Sequence, residues 1–210
     1  MSGGTVSIAL DRVVELSCLP VEPAQRGFLS NLDCIRILQH LIVSIYEHRA
    51  DLRSSFRTQL MKRLLHTCRG GKVAAQDGGN ERVHVSYLLS ILHPILRGMG
   101  GAQDLRHDLL HEHGSLMDRG SAATRLKMEI FFKVLLPLHQ PNEMVAWRDQ
   151  VPIIQSYHEE LVRCTACIVD TVKGPRERHK VLTEIVTKVL GIWPEKHSTN
   201  TPKQVLLLHE

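Results

Sequence analysis

This 210-residue sequence has few aromatic residues, no long apolar run and no large excess of charge of one sign. Phe, Trp and Tyr make up 4% of it, which leaves few rings on which nucleic-acid bases could stack. The 26 Lys and Arg only slightly outnumber the 22 Asp and Glu, and both signs are scattered along the chain, so no basic surface is expected. No apolar run approaches the length of a membrane span. The sequence therefore predicts neither a nucleic-acid-binding protein nor a membrane protein.

The cysteine content argues against a disulfide-stabilised secreted protein. Five cysteines are an odd number, and the chain is too long to depend on disulfides for its core. The first residues show neither the basic region nor the apolar stretch of a secretory signal peptide. We therefore expect reduced thiols and a location in the cytoplasm, with the nucleus as a second location. The five are Cys18, Cys34, Cys68, Cys164 and Cys167.

Apolar residues recur mainly at intervals of three and four, which is the period of an amphipathic helix. Sustained alternation, the pattern of a strand, is scarce, and residues 140–150 are predicted to be a polar connection. The pattern indicates an all-α protein built from antiparallel helices, and a helical bundle and a solenoid of helical hairpins both fit it. The predicted helices are residues 32–48, 52–68, 83–96, 122–138, 157–172 and 178–192, and one that begins at residue 202.

Four blocks in the last third of the chain resemble one protein family. Residues 131–139 read FFKVLLPLH, 156–158 read SYH, 192–197 read IWPEKH and 202–210 read PKQVLLLHE. In that order they are similar to the B-prime (B fifty-six) family of regulatory subunits of protein phosphatase 2A. The corresponding stretches of that family read approximately KVLLPLH, VYHPQL, YWPKTHS and PKEVMFLNE. The resemblance covers roughly residues 35–210.

The resemblance implies a curved solenoid of HEAT-like, armadillo-type helical hairpins that stack into one core. Residues 1–30 would be an N-terminal lead-in that could contain one short helix, and residues 31–210 the solenoid, with a polar insertion at about residues 100–121. The implied role is that of a non-catalytic regulatory subunit, which recruits substrates to a Ser/Thr phosphatase in signal transduction.

The partners that the family implies are the phosphatase scaffold subunit, the catalytic subunit and substrate proteins with short linear motifs. No cofactor, nucleic acid or membrane is expected. A helical-repeat adaptor that kept the fold and no longer binds the phosphatase is the alternative.

The family binds peptides of the form Leu-x-x-Ile-x-Glu in a groove, and the segments IYEHRADLR and LLSILHPI correspond to the walls of that groove. By this resemblance Ile91 and Ile95, one helical turn apart, would form the floor of an apolar pocket. Tyr46 and Arg53, two turns apart, would supply its polar rim. Lys127 falls near the position of a family histidine. An ordinary role in the core or on the surface is the alternative for each of these residues.

Two departures from the family alter this groove. Val43 and Ser44 stand where the family has His-Arg, which removes two polar or cationic contacts. Ser90 replaces an acidic residue before the first pocket isoleucine. The groove is therefore expected either to have changed its specificity or to have lost peptide binding.

Two further motifs resemble sites of chemistry. His107 and His111, four residues apart, would share one helix face, as pairs of zinc ligands do. Asp108 stands where a zinc protease has its general-base Glu, and no third ligand has the motif spacing. A polar surface insertion is therefore expected. A metal-dependent enzyme that uses His107 and His111 is a third hypothesis for the function. Cys164-x-x-Cys167 has the spacing of a redox pair or half a zinc site, but its apolar helical surroundings predict core packing.

The sequence stops at Glu210, inside the helix that Pro202 opens. In a solenoid such an ending leaves an apolar face with Leu206, Leu207 and Leu208. We therefore expect either a fragment of a longer subunit or a shortened subunit whose end a partner covers.

Overall fold

The computed structural model of this chain describes residues 4, 8–12, 31–69, 83–99, 119–140, 144–145, 148–193 and 201–208. Within these ranges the fold is all-α, with one short β-hairpin in a connection. The elements are α1 (Asn31–His48), a 3-10 turn (Ala50–Leu52), α2 (Arg53–Arg69), α3 (Val83–Gly98), α4 (Arg119–Ile130), a π-helical turn (Phe131–Leu135), α5 (Leu136–His139), β1 (Met144–Val145), β2 (Arg148–Pro152), a 3-10 turn (Ile153–Ser156), α6 (His158–Asp170), α7 (Pro175–Leu190) and α8 (Thr201–Leu208).

Helix α3 contacts α1 and α2 and packs most extensively against α6. A continuous helix is formed by α4, the π-helical turn and α5, and it is called the long helix below. The long helix contacts α2, α6 and α7. Helices α6 and α7 also pack against each other. Helix α3 therefore has neighbours on several sides, which agrees with its apolar sequence.

The core follows from these contacts. Leu88, Leu89, Ile91 and Leu92 of α3 are at most 1% exposed, and they belong to one continuous cluster of buried side chains that extends from α1 to α7. Leu10, from the N-terminal segment, joins the same cluster and is fully buried. The described part of the N-terminal lead-in thus contributes to the core.

The π-helical turn in the long helix is explained by Pro137. A proline ring clashes with the carbonyl four residues earlier and supplies no N–H for it. In the wider turn, the Leu136 N–H bonds to the Phe131 carbonyl, five residues back. The turn therefore accommodates the proline without ending the helix.

Three buried side chains meet the carbonyls at the C-terminal end of the long helix, and we call them the helix-end cluster: His139, Tyr157 and Lys203. His139 Nδ1 lies 2.7 Å from Leu135 O, a distance that suits an Nδ1–H donor. The Tyr157 hydroxyl donates to Leu138 O at 3.0 Å. Lys203 Nζ donates to Gln140 O at 3.1 Å.

The helix-end cluster satisfies carbonyl groups that the end of a helix otherwise leaves without partners. Its members are at most 2% exposed, and they come from three different segments of the chain.

The predicted all-α class is confirmed, and each predicted helix has a counterpart within a few residues. The connection at 140–150 differs from the prediction, because β1 and β2 pair antiparallel there, with Met144 opposite Pro152 and Val145 opposite Arg148. Two paired strands this short leave too little alternation to detect in a sequence.

Most of the predicted insertion at 100–121 lies outside the described residues. None of the described helices combines the length and the apolar character needed to cross a membrane.

Candidate peptide-binding site

The predicted polar rim is the turn between α1 and α2, where Tyr46 and Arg53 lie together. The guanidinium of Arg53 sits 5.6 Å from the centre of the Tyr46 ring, within the range of a cation–π contact. Arg53 Nε donates to Tyr46 O at 2.9 Å and Arg53 Nη2 to Glu47 O at 2.7 Å. The arginine thereby occupies the carbonyls at the C-terminal end of α1, where a cation is favoured by the helix dipole.

Arg57, which the sequence analysis did not single out, completes this arrangement. It is only 7% exposed, and its Nη1 donates to the Tyr46 hydroxyl at 3.1 Å. The Tyr46 ring also meets Phe56 edge to face, with 5.6 Å between ring centres. Because Arg57 follows Arg53 by four residues on the same helix, the spacing could have indicated that both reach the same tyrosine.

The predicted pocket floor lies inside the core. Ile91 is 0% exposed and Ile95 is 1% exposed. In α3 the two residues belong to the continuous apolar cluster, so neither presents surface to a ligand in this conformation. A peptide side chain could reach them only if neighbouring groups moved.

Lys127 is held at the interface between α4 and the end of α6. It is 3% exposed, and its Nζ donates to Thr171 Oγ1 at 2.8 Å. The Thr171 hydroxyl in turn donates to Cys167 O at 2.6 Å. This cation therefore takes part in the contact between two helices rather than lying on the surface.

The position of α1 relative to α3 is fixed by a polar bridge. Gln39 Nε2 donates to Tyr87 O at 3.1 Å and to Ser90 Oγ at 2.5 Å. Ser90 Oγ donates to Tyr87 O at 2.8 Å. Ser90, which stands where the resemblance predicts an acidic residue, thus has a structural partner that the sequence did not reveal, because Gln39 lies 51 positions earlier.

Val43 and Ser44, the other departures from the family, differ in their surroundings. Val43 packs against the core cluster, whereas Ser44 is exposed. The Ser44 carbonyl lies 2.8 Å from Nδ1 of His48. Arg53, which is half-buried, therefore supplies cationic character to the rim, whereas Arg57 and Tyr46 are buried.

The structure describes the cysteine pair noted in the sequence but not the histidine pair. His107 and His111 lie outside the described residues, and within the described ranges no group of three His, Cys, Asp or Glu side chains is placed to hold a metal ion. Cys164 and Cys167 are core residues, 0% and 7% exposed, as their surroundings predicted. Cys164 Sγ lies 3.4 Å from Leu89 O and links α6 to α3.

Comparison with family models, with curated proteins and with solved structures gives no match for this chain.

Proposed function

We propose that this chain is a non-catalytic regulatory subunit similar to the B-prime family, which directs a Ser/Thr phosphatase to its substrates. The helix-end cluster carries the proposal. His139, Tyr157 and Lys203 come from three of the four sequence blocks that resemble the family, and they meet on the carbonyls of one helix end.

The packing of the helices supports the same proposal. A solenoid of helical hairpins stacks its first helices in one layer and its second helices in another. The contacts of α3 with α1 and α6, and those of the long helix with α2 and α7, agree with such stacking. A subunit of this kind acts by raising the effective concentration of a substrate near the phosphatase.

The experiment for this proposal mixes the purified chain with the phosphatase scaffold and catalytic subunits. We expect a ternary complex that elutes as one species from a size-exclusion column. Substrate recruitment in the cytoplasm or nucleus depends on that complex. Elution of the chain alone, with the other two subunits together, would exclude this role.

The alternative is an adaptor of the same fold that no longer binds the phosphatase, and the same elution experiment tests it. Whether the groove still binds substrate motifs is a separate question. Ile91 and Ile95 are buried, so the pocket that would hold the Ile or Leu of a substrate motif is closed in this conformation.

Titration with a labelled Leu-x-x-Ile-x-Glu peptide measures whether the groove is retained. If it is, the wild type binds and Arg53→Glu weakens binding by about 2 kcal/mol or more, because a charge-assisted contact to the peptide glutamate is lost. Arg36→Glu, on an exposed face of α1, is the control and should leave binding unchanged. Equal binding by the wild type and Arg53→Glu would show that this groove does not read the motif.

A further inference from the structure

Residues 8–12, called the N-terminal segment below, are attached to the helical core through one buried side chain. Leu10 is 0% exposed and belongs to the core cluster, and Ala9 packs against the same cluster. Ile8, by contrast, is 70% exposed. The segment is helical, but an isolated helix of this length is not stable in water. Its structure therefore depends on the surface on which it lies.

An ion pair orients the N-terminal segment on α2. The Asp11 carboxylate lies against the Arg63 guanidinium, and the two side chains are 45% and 39% exposed. Leu60 lies one turn before Arg63 on α2, and like Leu10 it is a buried member of the core cluster. A leucine and the carboxylate that follows it thus occupy an apolar surface that has an arginine at its edge.

This surface is separate from the polar rim formed by Tyr46 and Arg53. Arg63 follows Arg53 by ten residues on α2, which corresponds to a rise of about 15 Å along the helix. The two arginines therefore serve different parts of the molecule.

The N-terminal segment is held firmly enough to dock and weakly enough to be exchanged. Burial of one leucine side chain favours the docked form by about 10- to 150-fold. An ion pair between exposed side chains adds a factor of about five at most. The cost of ordering the backbone of the segment opposes both contributions. A detached form at a level of about one per cent therefore accompanies the docked form.

We infer that the surface of α2 beneath the N-terminal segment is a binding site for a short segment of a partner protein, in which a leucine precedes an acidic residue. The N-terminal segment is the built-in competitor for this site. In the exchange, the partner leucine takes the place of Leu10 in the apolar cluster, and the partner carboxylate pairs with Arg63. The inference goes beyond the phosphatase role proposed above and does not depend on it.

A partner protein is a better occupant than a second copy of this chain. A second copy would replace the contacts of Leu10 and Asp11 by identical ones and would still lose the freedom that association costs. The segment of the same chain also has the advantage of a high effective concentration. A partner segment is not limited to the contacts that these two residues make.

The experiment uses the full chain with Leu10→Asp, which places a carboxylate where the core accepts a leucine and so detaches the segment. A peptide with the sequence of residues 6–13, VSIALDRV, is titrated into the isotope-labelled protein and followed by NMR. We expect the peptide to bind this variant at least about tenfold more tightly than it binds the wild type, in which the resident segment competes. The amide signals that shift should be those of α2 around Arg63.

Charge reversal locates the peptide on α2. In the Leu10→Asp background, Arg63→Glu should weaken binding by up to about fivefold. A peptide in which lysine replaces the aspartate should restore it. Lys62→Glu is the matched control, because it reverses the same charge one position away at an exposed residue, and it should leave binding unchanged.

Thiol labelling measures the detachment of the segment without an added charge. In the variant Leu10→Cys, the new thiol should react with a thiol reagent at least about tenfold faster than Cys164, which is 0% exposed in the core. Mass spectrometry of proteolytic fragments separates the two sites. Equal rates would show that the segment opens only when the core unfolds, which would overturn the inference.

Three further results would overturn it. They are equal affinity of the peptide for the wild type and for Leu10→Asp, equal weakening by Lys62→Glu and by Arg63→Glu, and a dimer of the wild type that Leu10→Asp converts to a monomer. The last result would make a second copy the occupant.

Circular dichroism checks that each variant is folded. If Leu10→Asp does not fold, Leu10→Ala takes its place in the titration, because it removes most of the buried surface without adding a charge. No phosphatase subunit takes part in these assays, so their outcome is separate from that of the ternary complex.

Discussion

At the scale of single residues, three buried cations each donate a hydrogen bond to an uncharged oxygen of another segment. Arg57 bonds to the Tyr46 hydroxyl, Lys127 to the Thr171 hydroxyl and Lys203 to the Gln140 carbonyl. Burying a charge is costly unless it is hydrogen-bonded, so these bonds fix the geometry of the helices that they join. Each cation links two segments that are distant or separated by a turn, which makes the three bonds determinants of helix position.

Because the thiols of Cys164 and Cys167 are buried, we expect the protein to lose stability at alkaline pH. Burial is the main cause that raises the pKa of both thiols above the usual value of 9.0. As pH rises through that value, thiols of the unfolded chain ionise while those of the folded protein stay protonated. The unfolded state then binds fewer protons, so the free energy of unfolding falls, by at most about 1.4 kcal/mol per pH unit for each thiol. Urea denaturation between about pH 8 and pH 10 measures this slope.

Lys203 acts in the opposite direction and makes a control necessary. Burial lowers the pKa of Lys203 in the folded protein from its usual 10.5. Between the lowered pKa of the folded state and the usual pKa of the unfolded state, the unfolded state binds more protons, so the free energy of unfolding rises with pH. The double variant Cys164→Ala with Cys167→Ala keeps this contribution and loses that of the thiols. Its slope should be more positive than that of the wild type. Identical slopes would show that the thiols are not responsible.

At the scale of secondary-structure elements, a glycine and a proline set the boundary between α6 and α7. Gly174 separates α6 from α7 with φ at 94° and ψ at 135°, a conformation that residues with a side chain rarely adopt. Pro175 then occupies the first turn of α7, where its missing N–H costs nothing. Together they allow the chain to reverse within a few residues, so that α6 and α7 can pack on each other.

Replacing Gly174 with alanine should destabilise the protein by about 1–3 kcal/mol, because the added side chain is strained at this φ. A methyl group there would meet no atom within 4 Å, so the cost comes from the backbone alone. Gly98→Ala, also in open space but at the end of a helix, is the matched control and should be neutral or slightly stabilising. Urea denaturation compares the two, and equal effects would contradict this account.

At the scale of the whole molecule, α3 is the central helix of the described fold. It contacts α1, α2 and α6, and its apolar residues form the middle of the core. Loss of a large side chain from α3 should therefore weaken the entire fold cooperatively rather than one end of it.

Ile91→Ala tests this role against a role in a peptide pocket. In a core that cannot collapse around the cavity, the change should lower the free energy of unfolding by about 2–5 kcal/mol. Ile37→Ala, at a position 52% exposed on α1, should change it by no more than about 0.5 kcal/mol. If the two variants are equally stable, Ile91 is not part of the core and a surface role becomes the better explanation.

Part of the candidate site could be predicted from the sequence. The seven-residue spacing of Tyr46 and Arg53 predicted that the two residues approach each other, and they do. They lie on different helices, however, so the turn at Ala50–Leu52 brings them together rather than one shared helix face. The bridge from Gln39 to Ser90 could not be predicted in this way. It depends on how α1 and α3 pack, and nothing in either segment encodes its partner.

The sequence by itself determined the helices of this protein, because apolar period and the positions of glycine and proline are local properties. Only the tertiary structure decided which apolar residues are core. Ile37 and Ile91 both belong to periodic helical segments, yet the first is 52% exposed and the second 0%. Burial depends on which helix packs against each side, and the long-range contacts of α3 cover one residue and leave the other in solvent.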